Sequence, residues 1–260
     1  MPSFREHEVV IDLRSTEFVR PAAILWCVVY ALLAKKRGAA CRVLVPLNFG
    51  VCTYLKSVGL FEMLLESKVE LDDRGISKLE SRQVILPLTM FETETAAEEL
   101  ANRAMAYLKV SRVGAANIYP VVSETFGELA VNAVQHAESS IGAFGLIQFY
   151  AFKRREYFVC CVADGGIGVR RSLEKNPKLK GTFSYDWTAL EMAVRERVSG
   201  TGEVNRGIGL FGVAEDMKKA GRILVIHSGL GALSVSDKAD SKAKRSALFP
   251  GTLAYVSIPA

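Results

Sequence analysis

Three polar residues spaced by four, Glu128, Asn132 and His136, lie within residues 124–138, ETFGELAVNAVQHAE. Written as a helix, each sits about 40° further round the cylinder than the last, so all three share one edge. Phe126, Leu129, Ala130, Ala133 and Ala137 fall on another face. The segment therefore reads as an amphipathic helix that packs on a core and presents a carboxylate, an amide and an imidazole in a row. A carboxylate can act as general base, an amide oxygen suits a hard Mg²⁺ ion, and an imidazole can donate to phosphate. Taken alone, the same pattern describes an ordinary helix whose polar edge faces water.

Two later motifs shift the balance. Residues 157–163, YFVCCVA, read as a buried strand that runs directly into Asp164-Gly165-Gly166-Ile167-Gly168. An acid at a strand end followed by glycines lets backbone approach a flat ligand while the carboxylate accepts a hydrogen bond from it. Further on, Asn205-Arg206-Gly207-Ile208-Gly209-Leu210 opens a helical stretch to about residue 220. A glycine-rich turn at a helix N-terminus presents free N–H groups and the positive end of the dipole, which suits phosphate.

ExxxNAxxH, DGGIG and RGIGL, in that order, resemble the N, G1 and G2 boxes of the GHKL ATP-binding fold, across roughly residues 84–260. That superfamily contains histidine-kinase catalytic domains, gyrase and Hsp90-type ATPases, and anti-sigma-factor serine kinases. The resemblance implies an α/β sandwich with a mixed sheet, the Bergerat fold, binding ATP and Mg²⁺. It implies Glu128 as base or phosphoryl-transfer partner, Asn132 as the Mg²⁺ ligand, His136 beside the phosphates and Asp164 as the adenine contact. Gly166 and Gly168 would line the adenine side. Gly207, Gly209 and Leu210 would form the phosphate-side turn, and Arg206 would reach the phosphates. Gly251-Thr252 matches the family's terminal GT, whose threonine assists adenine recognition, although a threonine there is also an ordinary strand former.

Gly207-Ile208-Gly209-Leu210-Phe211-Gly212 also fits the dinucleotide fingerprint GxGxxG. That fingerprint needs a strand immediately before it and an acid about twenty residues later. Residues 199–206 are polar and glycine-containing, and the following strand ends in His227-Ser228, so this reading is set aside. No GxxxxGK[ST] run is present, which excludes a P-loop.

A net charge of +5 spread over 260 residues argues for no nucleic-acid partner, and the locally basic residues 238–245 read as a solvated loop between strands. The five cysteines, Cys27, Cys41, Cys52, Cys160 and Cys161, sit in apolar surroundings without CxxC spacing, as reduced buried thiols do. Cys160 and Cys161 are neighbours in a strand and should face opposite ways. The N-terminus carries Arg5, Glu6, Glu8 and Asp12 where a signal peptide would be apolar. The longest apolar run, residues 21–34, is too short to span a bilayer. A cytoplasmic protein with no membrane partner is expected.

Along residues 1–82 a strand at 7–13, a helix at 20–37 ended by Gly38, a strand at 41–46 and helices from 51 onward describe a small α/β unit. Its element order and the phrase YLKSVGLFEML resemble the STAS domain of anti-sigma-factor antagonists. That family carries a phosphorylatable serine before a helix. Here Thr53 is the nearest hydroxyl, so a docking module fits better than a phospho-acceptor. Residues 68–82 are charged and read as a linker, dividing the chain into 1–82 and 83–260. Then come a strand at 83–90, a helix at 94–108, a hairpin at 141–163 and a helix at 187–198. Residues 199–206 follow as a lid, and strands are expected at 222–228, 232–236 and 252–258. His227, near a strand end, reads as structural.

Three functions remain. The first is a regulatory ATP-binding protein, a nucleotide switch or Ser/Thr protein kinase acting on a partner protein. The second is an autonomous ATPase, and the third is a nucleotide-binding pseudoenzyme working through protein contacts alone. Intact Glu128, Asn132 and Asp164 weigh against the third, and small size without a transducer domain against the second. The residues leave a homodimer open.

Overall fold

The structure, a computed structural model, describes residues 8–72, 83–152, 155–195, 208–218, 221–237 and 242–260. Among these the chain is α/β with two sheets. Strands β1 (Glu8–Asp12), β2 (Ala40–Leu44) and β3 (Glu70–Leu71) form a parallel sheet in the order β1-β2-β3. Strands β4 (Val84–Phe91), β5 (Ala143–Phe152), β6 (Arg155–Asp164), β7 (Ile223–Ser236) and β8 (Ala243–Pro259) form an antiparallel sheet in the order β4-β5-β6-β8-β7. The mixed sheet expected above is thus not found: the three-stranded sheet is parallel throughout and the five-stranded sheet antiparallel throughout.

Helix α1 (Pro21–Lys36) starts on a proline, whose missing N–H is harmless there, and ends with Lys35 and Lys36 at the negative end of its dipole. Ile24, Leu25, Val28, Val29, Ala31 and Leu33 are buried on all sides of it. A helix apolar all round belongs inside, and α1 lies between the two sheets. Helix α2 (Phe49–Ser57) is capped by Asn48, whose Oδ1 accepts from Val51 N–H. Gly59, at φ +90°, turns the chain into α3 (Leu60–Glu66). The start of the expected linker is the short strand β3, and its remainder, 73–82, lies outside the described residues.

A single apolar cluster crosses the 82/83 boundary. It joins Leu25, Val28 and Leu32 of α1, Val43 of β2 and Leu64 of α3 to Phe144, Leu146, Val159, Cys161, Phe249 and Leu253 of the five-stranded sheet. Trp26 and Tyr30 stack on one another, both meet Phe249 edge-on, and Trp26 also faces the edge of His227. A polar node interrupts this seam, where the hydroxyls of Tyr54 and Tyr150 both donate to Oε1 of fully buried Gln148. Thr53, the nearest candidate hydroxyl for phosphorylation, is buried on α2.

The opposite face of the five-stranded sheet carries α4 (Glu94–Ser111), α5 (Tyr119–Ala137), α7 (Asp186–Arg195) and α8 (Ile208–Met217) over a second cluster. The short α6 (Gly168–Leu173) follows β6. Cys160 belongs to this second cluster and Cys161 to the first, so the pair faces opposite ways, and all five cysteines are buried and none is in a disulfide. Tyr185 and Trp187 stack at the start of α7. No described helix is long and apolar enough to cross a membrane.

The C-terminal strands differ from expectation. The strands expected at 222–228 and 232–236 are one strand, β7, from Ile223 to Ser236, whose register shifts at Gly229 and Gly231. The strand runs on through these glycines with a shifted register, and a side chain at Gly229 would strike Asp186 and one at Gly231 the Trp187 backbone. Strand β8 likewise begins at Ala243, so most of the described part of the basic stretch pairs with β7 rather than looping into solvent.

Candidate functional site

Helix α5 presents its polar edge as the spacing implies. Phe126, Leu129, Ala130 and Ala137 are buried, Asn132, Ala133 and His136 half-buried, and Glu128 exposed. Glu128 bonds no described residue. Asn132 bonds none either, and its Nδ2 is wholly buried without a partner. His136 stands in the last turn, where the dipole favours a cation.

The C-terminal end of α5 is fastened to the glycine turn after β6. Ile167 N–H donates to Ala137 O at 2.8 Å, and a Cβ on Gly166 would lie 1.8 Å from that same oxygen. On one side Ser139 Oγ accepts from Gly165 N–H and Ile141 N–H and donates to Gly142 O. On the other, Ser228 Oγ accepts from Val169 N–H and donates to Gly251 O. Gly168, at φ +76°, has no room for a side chain against Ser228 Oγ. Gly165 rests on Ile141 and on Leu33 of α1, so the N-terminal unit supports this turn from behind.

Asp164, 3% exposed, stands at the centre of this arrangement. Its Oδ1 accepts from Gly166 N–H at 2.8 Å and Thr252 N–H at 3.2 Å, and no described residue donates to Oδ2. Burial pushes its carboxyl from 3.8 up to about 7, against the opposing pull of those two N–H donors. A Cβ on Gly251 would lie 2.5 Å from Oδ1 and 2.2 Å from the Asp164 carbonyl oxygen. Backbone thus closes on the carboxylate from the glycine turn and from β8 and leaves one oxygen unserved.

The structure therefore brings Asp164, Gly166, Gly168 and Thr252 together, and joins them to the α5 end that bears His136. Gly209 and Leu210 lie in the first turn of α8, where Leu210 is half-buried against the core. Arg206, Gly207 and the expected lid at 199–206 lie outside the described residues. His227, on β7, is half-buried, and burial, then Lys244, lowers its imidazole below the usual range. No family model, curated protein or solved structure matches this chain.

Ser139 and Ser228 are absent from the expected set. Ser228 had a signal: Leu224, Ile226 and Ser228 alternate along β7, so its hydroxyl falls at a core-facing position. Ser139, just past a left-handed cap at Glu138, had none.

Two glycine substitutions separate close approach from ordinary packing. Gly166→Ala should lower stability by about 1–3 kcal/mol, because its methyl meets backbone that cannot turn aside. Gly127→Ala, whose methyl meets Ala101 Cβ at 3.4 Å inside α5, should be neutral or stabilising. Thermal denaturation of the two variants checks this.

Proposed function

We propose that this chain is an ATP- and Mg²⁺-binding regulatory protein of the GHKL type, whose STAS-like N-terminal unit serves as a docking module. Nucleotide state, with or without phosphoryl transfer to a Ser or Thr of a partner protein, would control that partner. The observation that carries this reading is the Asp164 cradle: a buried carboxylate with an unserved oxygen, which the fold stabilises poorly for itself and a ligand amino group would satisfy.

The residues present fit such a ligand. Asp164 Oδ2 and the adjoining glycine backbone suit a flat base. The unpartnered amide of Asn132 lies on the same helix as exposed Glu128, one turn further along. The described residues contain no cluster of three or more His, Cys, Asp or Glu that could hold a metal, so Asn132 would share Mg²⁺ with nucleotide phosphates and water. Bound Mg²⁺-ATP would supply the phosphoryl group and the charge that polarises it. Glu128, exposed on α5, would take a proton from an attacking hydroxyl or water. Asp164 orients the base by accepting from it.

Incubation of the pure protein with labelled ATP and Mg²⁺, with and without lysate proteins, tests the reading. Label on protein indicates a kinase, and free phosphate an ATPase. Failure to bind any adenine nucleotide would overturn it. Glu128→Ala should retain nucleotide and lose turnover or transfer by about 10²-fold or more. Asn132→Ala should lose the Mg²⁺-dependent part of binding. Single-turnover assays and titrations with and without Mg²⁺ separate the two.

A further inference from the structure

Ser228 lies on β7 directly across from Thr252 on β8 and is 3% exposed. A serine hydroxyl has one proton and two lone pairs. Gly251 O, at 2.9 Å, can only accept, and Val169 N–H, at 2.9 Å, can only donate. The proton is therefore committed to Gly251 and one lone pair to Val169. What remains is a lone pair, and it faces Thr252 Oγ1 at 3.4 Å.

In that contact Thr252 must be the donor, which leaves its own lone pairs for whatever lies beside it. Its backbone N–H bonds Asp164 Oδ1, so the carboxylate adjoins the residue that carries this hydroxyl. Ionised Asp164 and a threonine oriented in this way make a wall that only accepts hydrogen bonds. We propose that Ser228 is a specificity-determining positioning residue: by directing the Thr252 hydroxyl proton away from the ligand, it makes the site select a 6-amino purine over a 6-oxo purine. The inference rests on the nucleotide reading above. A freely turning threonine hydroxyl could donate to a 6-oxo oxygen as readily as accept from an amino group. One whose proton is committed elsewhere leaves that oxygen facing acceptors. At 3.4 Å the serine–threonine bond is long for two hydroxyls, so its effect is a several-fold bias rather than an absolute gate.

The test is calorimetric titration of the full chain with Mg²⁺-ATP and Mg²⁺-ITP, which differ at the 6-position. Wild type should favour ATP by about tenfold or more. Ser228→Ala should lower that ratio by roughly three- to tenfold. Thr252→Val should lower it too, Thr252→Ser should preserve it, and Ser228→Ala should add nothing in the Thr252→Val background. Ser228→Ala that weakens both nucleotides equally, with the ratio intact, would show a merely structural serine and overturn the inference. Should Ser228→Ala fail to fold, equal ratios for Thr252→Val and Thr252→Ser would overturn it instead. Wild type that binds neither nucleotide sinks the nucleotide reading itself, whereas binding with unchanged ratios sinks only the role of Ser228.

Discussion

Asp164→Asn will leave the ligand-free protein at least as stable as wild type above pH 7 while removing most of its affinity for adenine nucleotide. The asparagine oxygen can take the place of Oδ1 and accept from Gly166 and Thr252, so the cradle keeps both bonds. Its amide nitrogen then occupies the unserved position and opposes a ligand amino group, donor against donor. Loss of a hydrogen bond to a charged acceptor costs about 1.5–3 kcal/mol, or roughly 10- to 150-fold in affinity.

The stability half of this expectation follows from the direction of the shift. The folded protein holds the Asp164 proton up to about pH 7, whereas the unfolded chain releases it near 3.8. The native state binds more protons between those values, so stability falls as pH rises from about 4 to about 7 and is level beyond. Three pH units correspond to about 4 kcal/mol, the amount by which ionising a buried acid disfavours folding. Asparagine carries no such cost and removes that slope. Nucleotide affinity in the wild type should rise with pH through about 7, as the accepting carboxylate forms. Calorimetric binding and thermal melts at pH 5, 7 and 8.5 check both halves. A variant that is markedly less stable yet binds as wild type would mark Asp164 as structural.

The second large effect concerns the seam between the sheets. Residues 83–260 expressed alone should aggregate or remain unfolded, although composition suggests a division at that point. Removing α1 to α3 uncovers Phe144, Leu146, Val159, Phe249 and Leu253 together. At about 2 kcal/mol for each buried large apolar side chain, the loss is about 10 kcal/mol. A whole domain is held by only about 5–15 kcal/mol. Val28→Asp, which places a charge at a fully buried point of α1, should destabilise the entire chain in the same way. Expression of 83–260 with gel filtration and circular dichroism decides. A monodisperse, cooperatively melting fragment would show that the seam is dispensable.

The α5 helix and the turn after β6 were legible because each rests on a local rule: four-residue spacing for one, an acid and glycines at a strand end for the other. The run that became α1 was legible as a helix at 20–37, but its place in the fold was not. A helix hydrophobic on every side carries no phase to say what covers it, so its place between two sheets could not be read. The strands expected at 222–228 and 232–236 stopped short of Gly229 and Gly231, because glycine interrupts strands and serves bulges alike. What leaves no room for a side chain at either is Asp186 and Trp187, some forty residues earlier in the chain. Ser228 shows the same limit at the site, since its alternation predicts burial but not that it holds Val169 and Gly251 at once.

The chain has two tryptophans, and the layering places them on opposite sides of the central sheet. Trp26 is packed in the aromatic seam beneath the N-terminal unit, and Trp187 is stacked on Tyr185 at the head of α7. Emission from Trp187→Phe therefore follows the inner seam, and emission from Trp26→Phe follows the helical layer. The protein carries its own pair of optical probes, one for each side, and superimposable denaturation curves from the two variants would be the signature of a single cooperative unit.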